Sequence, residues 1–445
     1  MENTRNVYRT FLRGGIHPND YKYFTNDEPL RNALIPSVSL IPMSQHMGKP
    51  AECIVNIGDT VKECMLIGKS AGFFSSQVHS PVPGKVADII EIYLPNGIKS
   101  KAVKIELEGE FSRSGKSMQE KDWSSLKLDE FLSLINEMGI VGLGGATFPA
   151  YIKYSIKDKS KLEYLVINGV ECEPFLTSDH RLMIEKPEKI LEGIKILKKM
   201  LTPKKIIIGI EANKQNAIDI LTETAKSMSL DVEVAGLKVQ YPQGDEKKLL
   251  KALIDREVPS GGLPLDIGAV VSNVGTVFAI YEAVVYGKPL IERCVTVTGS
   301  VIKKPANLKA RIGTPIKELI EECGGFTEIP GKVIVGGPMM GFTLADLDSP
   351  VTKGVSGVIA FSKKEVKLKK RTNCIECGKC ISACPFGLSP TLLYKLIDHQ
   401  FYNESLENGL LDCKECGCCS YVCPARIPLV QGFKLGKLIS RKMKS

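Results

Sequence analysis

The stretches CIECGKCISACP (residues 374–385) and CKECGCCSYVCP (residues 413–424) repeat one spacing, C-x2-C-x2-C-x3-C-P, within a single chain. Nine of the 14 cysteines lie between Cys374 and Cys423. Three thiolates two residues apart wrap one face of a cubane, and the fourth, followed by proline, turns away to reach a second one. The spacing therefore predicts two [4Fe–4S] clusters, one held by Cys374, Cys377, Cys380 and Cys423, the other by Cys413, Cys416, Cys419 and Cys384. Paired zinc knuckles are the alternative for CxxC spacings, but a zinc ion takes four ligands and has no use for the third close cysteine and the Cys-Pro pair. Cys418 stands outside the repeat and reads as a spectator. Between the two runs, Ser389 as cap and Pro390 in the first turn open a helix whose Leu392, Leu393, Leu396 and Ile397 share a face. The block reads as a small α-helical ferredoxin-like domain over residues 362–430, with a basic tail at 431–445.

Clusters of this kind pass single electrons and do no bond chemistry, so the other residues must supply a donor or an acceptor. The chain has 445 residues, 43% of them hydrophobic, with a mean hydropathy of +0.00, a composition that excludes a mainly disordered protein. Ile267 to Tyr281 is too short and too polar to span a bilayer, and the opening MENTRNVYRT has no apolar core, so a cytoplasmic location is expected. Thiols stay reduced there, which favours metal ligation over disulfides. A net charge of +9 points to an acidic partner or an anionic surface and does not by itself indicate nucleic acid.

Upstream, an amphipathic segment (Phe131, Leu132, Ile135, Met138) leads into GIVGLGGATFPAYIK, residues 139–153. Its glycine spacing is not the dinucleotide fingerprint. The segments after it give it weight: Leu165 to Ile167 read as a buried strand, and NGVECEP (168–174) stands at the C-terminal end, where open α/β sheets bind ligands. A strand at Ile206–Ile210 and a helix at Asn216–Ser227 continue the alternation, giving a Rossmann-like α/β domain over 120–285.

GLGGATFP with Lys153, NGVECEP, YPQGDE (241–246) and SNVGT (272–276), in that order, resemble the flavin- and NADH-binding subunit of respiratory complex I and its relatives. The resemblance implies non-covalent FMN at Gly142, Gly144, Lys153, Asn168, Glu171, Gly244 and Asn273, and NAD(H) at Gly145, Ala146, Phe148, Glu173, Tyr241 and Glu246. Glycines allow close backbone approach to the flavin, and Phe148 offers a stacking face. Glu173 and Glu246 would repel a 2′-phosphate and so favour NADH over NADPH. Leu143 and Thr147 depart from the family, which usually has Arg and Gly there. Attachment of flavin to Thr147 is discounted because the expected upstream acid is missing.

The flanks complete the order. Val61, Ile67, Val78, Val82 and Val86 mark short strands of a module over 1–115 that resembles lipoyl-type barrel-sandwich domains, here read as scaffold. CVTVTGSV, a helix from about Pro315 to Cys323 and KVIVGGPMMG read as a β-grasp module over 290–350. Barrel-sandwich, flavin domain, β-grasp and two clusters in succession, with FLRGGIHP and IPMSQHMGKPAE near the start, resemble the C subunits of Rnf ferredoxin:NAD oxidoreductases. That resemblance implies a peripheral subunit on the cytoplasmic side of the cell membrane. Its partners would be the other subunits of the complex, with NAD(H) as substrate and ferredoxin as an indirect one. Hydride exchange between NAD(H) and FMN would be followed by single-electron steps coupled to Na⁺ or H⁺ translocation, with no catalytic acid or base. The alternatives are a cobalamin-reductase-like flavin and iron–sulfur protein, and an electron-wiring module with a degenerate flavin site. Lys363, Lys364, Lys367, Lys369, Lys370 and Arg371, and the basic tail with Leu429, Phe433 and Leu438 as its apolar side, read either as a solvated helix surface and a mobile tail or as a docking surface for an acidic partner or the anionic leaflet.

Overall fold

The computed structural model describes residues 8–366 and 370–443; Lys367, Lys369 and the first residues of MENTRNVYRT lie outside the described residues. At the centre is a four-stranded parallel sheet, ordered Glu233–Leu237, Lys205–Glu211, Tyr164–Asn168, Ala269–Asn273. Parallel strands are buried on both faces and so read as unbroken apolar runs. Leu165, Ile167, Ile206 and Ile208 face helices Leu128–Glu137, Pro187–Leu201, Gln215–Ser227 and Val274–Tyr286, whereas Val166, Ile207 and Val271 face Glu246–Ile254. Strand Tyr164–Asn168 lies between the other two in register, Asn168 beside Gly209 on one side and Asn273 on the other. The motif-bearing loops thus leave one edge of the sheet together.

The N-terminal module is a sandwich of two small antiparallel sheets. One is ordered Val38–Pro42, Lys99–Leu107, Gly84–Tyr93, Thr60–Val61, and the other Glu52–Cys53, Leu66–Lys69, Val78–His79. Val61, Ile67, Val78, Val82 and Val86 all lie in its core. The β-grasp sheet is wider than the expected 290–350. It runs Leu30–Asn32, Ala306–Arg311, Glu292–Thr298, Gly357–Phe361, Lys332–Val335, Phe342–Thr343, with helix Ile316–Glu322 against it. Gly357–Phe361 lies between Glu292–Thr298 and Lys332–Val335, so the sheet cannot close without residues beyond 350.

In the cysteine domain, helices Lys379–Ala383 and Cys418–Val422 are duplicates, each preceded by a glycine at positive φ, Gly378 and Gly417. Helix Pro390–Asp398 forms with Leu393 and Ile397 buried, but Leu392 is exposed and the Ser389 side chain makes no cap. Residues 431–443 are not a separate tail. Helix Leu429–Lys442 buries Leu429 and Phe433 in the same core as Leu393 and Ile397, and only Leu435 and Leu438 remain on its outer side. An extended strap, residues 8–16, ties this domain to the flavin-type sheet. Arg9 bridges to Leu237 and Ile16 to Tyr241, while the Gly15 amide donates to the Ala383 carbonyl at 3.0 Å.

Candidate redox site

Residues of all four motifs meet at the C-terminal edge of the parallel sheet. Asn273 ends its strand and caps helix Val274–Tyr286, its Oδ1 accepting from the amides of Gly275 (2.9 Å) and Thr276 (3.4 Å). That positive helix end suits an anion. The Leu143 amide donates to Thr276 Oγ1 (2.9 Å), which holds the glycine loop over the helix start. Gly144 faces Asn273, where an added Cβ would rest in ordinary contact with the asparagine side chain. Gly144, Gly145 and Ala146 are exposed and Gly142 is half-buried. Asn168, level with Asn273 in the next strand, donates from Nδ2 to the Gly244 carbonyl at 2.9 Å. Lys153, on the short helix Ala150–Tyr154, reaches the Val271 carbonyl and Glu246 Oε1, both at 2.9 Å. A half-exposed ammonium, a capped helix N-terminus and a side-chain-free loop fit a planar group that carries phosphate.

Other expected contacts are differently engaged. Glu171 accepts from the amides of Asp179 (2.8 Å) and His180 (3.2 Å), so it caps helix Ser178–Glu185. Glu173 accepts from the amides of Met339 and Met340, each at 3.0 Å, on the GGPMMG loop of the β-grasp module. A Cβ at Gly337 would fall 2.1 Å from Glu173 Oε2, so only glycine allows this approach. Burial raises the Glu173 carboxyl to about 7, against the pull of those two amides. With Glu246 paired to Lys153, neither acid stands free to repel a 2′-phosphate, and the argument for NADH over NADPH loses its basis.

Tyr241, expected at the nucleotide, is buried and turned toward the cysteine domain: its hydroxyl donates to the Cys416 carbonyl at 2.8 Å. It packs with Ile16, Ala383, Cys416 and Cys418, and Cys172 and Met339 lie at the margin. Cys172 Sγ in turn accepts from the Gly244 amide at 3.3 Å, so one layer of residues separates the flavin-type loop from the second cysteine run. Cys418 is fully buried, its thiol directed at the Tyr241 carbonyl.

The two cysteine runs exchange their last members. A small cavity is lined by Cys413, Cys416, Cys418 and Cys419 together with Cys384 from the first run. Cys380 has Cys377 and Cys423 as neighbours, which brings a thiol of the second run to the other three-cysteine turn. The Glu376 amide donates to Cys374 Sγ and the Glu415 amide to Cys413 Sγ, both at 3.4 Å, with both glutamates at positive φ. Among the described residues no three His, Cys, Asp or Glu side chains converge tightly enough for a single ion. Thiols set around a hollow suit a cubane, whose four ligands stand at separate corners.

Sequence reasoning missed the charged groups beneath the site. Asp179 accepts from Asn273 Nδ2 at 2.7 Å, and burial beside Glu171 pushes its carboxyl up to about 6. Buried Arg293 donates to the Leu143 carbonyl at 3.1 Å. Lys22, on the N-terminal arm, donates to the carbonyls of Glu171, Glu173 and Leu176. Arg293 and Lys22 bond to backbone carbonyls of another domain and Asp179 to a side chain 94 residues on, which leaves no local pattern.

Four family descriptions match in succession: an RnfC barrel sandwich hybrid domain over 10–110, a Nuo51 FMN-binding domain over 135–282, an SLBB domain over 294–343 and a 4Fe-4S dicluster domain over 366–424. The C subunit of the proton-translocating ferredoxin:NAD(+) oxidoreductase complex of Clostridium ljungdahlii is 45% identical, over 90% of this chain and 88% of that one. The Na(+)-translocating counterpart of Acetobacterium woodii is 41% identical over 97% of both. The C subunit of the ion-translocating oxidoreductase complex of Rhodobacter capsulatus is 40% identical over 97% of this chain and 84% of that one. Among solved structures, an NAD+-reducing [NiFe]-hydrogenase in the H2-reduced state shares the fold at a TM-score of 0.51 and 17% identity, over 72% of this chain and 62% of that one. Among the described residues no helix is long and apolar enough to cross a membrane.

Proposed function

The chain belongs to the C-subunit family of ion-translocating ferredoxin:NAD(+) oxidoreductase complexes, and from that membership we propose that it is the peripheral subunit in which NAD(H), FMN and two [4Fe–4S] clusters exchange electrons, on the cytoplasmic side of the cell membrane. The observation that carries this reading is the Tyr241 contact, which joins the loop beside Asn168 and Gly244 to the carbonyl of Cys416. FMN, when bound, links two-electron hydride exchange to one-electron transfer through clusters. The chain's residues orient and exclude. Gly142, Gly144 and Gly244 permit close approach of a ring, and Lys153, Asn168 and Asn273 offer polar groups at one sheet edge. Gly145, Ala146 and Phe148 are open to a nucleotide on the solvent side.

Placement supports an order of cofactors. The set Cys413, Cys416, Cys419 and Cys384, whose Cys416 packs with Tyr241, would hold the near cluster. The set Cys374, Cys377, Cys380 and Cys423 is the far one. Its Cys377 is exposed, as are Ile375 and Ile381, which supports an exit on this side toward another subunit of the complex. The Clostridium and Acetobacterium relatives are named for different ions, and ion choice belongs to the membrane partners.

Anaerobic purification tests the reading. The chain should carry one acid-released FMN and about eight irons, four per cubane. Addition of NADH should bleach the flavin band and then the cluster absorbance. Protein that holds iron but neither FMN nor NADH would leave only the electron-wiring alternative.

A further inference from the structure

We propose that the barrel-sandwich module is part of the nucleotide site: its Phe73–Phe74 tip, together with Phe148, forms the stacking surface for the purine base of the dinucleotide. This rests on the NAD(H) reading above and extends it to a domain read from sequence as scaffold.

The tip is the turn between strands Leu66–Lys69 and Val78–His79, and it stands beside the glycine loop. Phe74 meets Phe148 edge to face, centroids 5.9 Å apart and planes at 71°. Phe73 meets Phe74 and Tyr151 in the same manner, and the Tyr151 hydroxyl donates to the Phe73 carbonyl. The Met47 amide donates to the Thr147 carbonyl at 3.1 Å, which fastens the module to the glycine loop itself. Phe73 is 66% exposed and Phe74 48% exposed. Two adjacent exposed phenyl rings cost hydration free energy unless something covers them.

The turn is also held in place. Lys49 donates its amide to the Phe74 carbonyl at 2.7 Å, and the Ser75 hydroxyl accepts from the Ala71 amide at 3.0 Å. The ring of buried His46 accepts from the Ser76 amide at 3.0 Å. Gly48, at φ +106, packs so closely on Phe74 that a Cβ would lie 2.1 Å from its carbonyl oxygen. The rings are therefore displayed by an anchored turn and lose little freedom on binding. Phe74 meets the half-buried Phe148 at the end of the loop that carries Gly144, Gly145 and Ala146, all exposed. A flat base laid on one ring meets the edge of the other, an arrangement aromatic pairs favour. A second protein could also cover the rings, but their place against the glycine loop favours the dinucleotide.

The full chain, loaded with FMN and clusters, provides the test, with NADH compared against reduced nicotinamide mononucleotide, which lacks the adenosine half. Phe74→Ala should raise the KM for NADH about tenfold, within the range of one base–aromatic stack, and leave kcat, FMN content and the KM for the mononucleotide unchanged. Phe74→Tyr should restore the wild-type KM, whereas Phe74→Leu, equally apolar, should not. Equal NADH KM values in wild type and Phe74→Ala would overturn the inference and leave the NAD(H) reading standing. So would a mononucleotide KM that rises in step with that of NADH, since the loss would then be general. Wild-type chain that oxidises neither compound would overturn the NAD(H) reading and this inference with it.

Discussion

Glu173 belongs to the segment that leaves the sheet after Asn168, and both its oxygens are taken by backbone amides of another domain. Burial lifts its carboxyl from 4.5 to about 7. Between those values the folded chain holds a proton that the unfolded chain has released. This contribution is therefore intact below pH 4.5 and is lost as pH rises through about 7. Glu173→Gln, which cannot ionise, should flatten the fall in Tm across that window; a variant curve parallel to wild type would show that Glu173 is ionised throughout. The motif NGVECEP announced an acidic residue at the site, yet its partner amide on Met339 lies 166 residues away. Tyr241 and Cys416 are 175 apart. Residue types at the site were legible because a ligand restricts them locally. Which neighbours they bond was not, because that depends on how separate domains dock.

The duplicated turns around Cys374 and Cys413 were legible, since each turn is specified by spacing within a dozen residues. Helix Leu429–Lys442 was harder. Leu429 and Phe433 one turn apart suit a buried face as well as an apolar docking face, and the lysines around them pointed to the wrong one. Within that helix, Lys437 donates to the Cys413 carbonyl at 2.6 Å and pairs with Glu415 at 2.7 Å, clamping the turn that begins the second cysteine run. Lys437→Met removes charge-assisted bonds worth about 1.5–3 kcal/mol. Anaerobic iron content should drop from about eight toward about four per chain, with the far cluster kept. Retention of all iron would show that the clamp does not hold the cluster. Cys418→Ser, by contrast, should leave both clusters in place, because that thiol lines no position in the repeat and points to the Tyr241 carbonyl.

Domain order was legible from end to end, because each module carries its own local pattern, whereas the strap that joins them carries none. Its contacts are single bridges, Arg9 to Leu237 and Ile16 to Tyr241, with no periodicity to detect. Gly14 is its tightest point: at φ +69, a Cβ there would sit 2.5 Å from the Cys384 carbonyl oxygen. Gly14→Ala should push the strap off the cysteine domain and loosen the seam at Tyr241. In stopped-flow, flavin bleaching by NADH should keep its rate while cluster reduction slows; unchanged cluster reduction would mean that the seam does not need the strap. The same connection imposes a schedule on synthesis. Residues 8–16 leave the ribosome before any sheet strand, yet their partner at Ala383 is translated only after every other module. Closing so long a loop is slow. The nascent chain must therefore carry its opening segment unpaired on that side until the cysteine domain emerges, and a chain cut short before residue 383 keeps the bridges to Leu237 and Tyr241 but lacks the partner of Gly15.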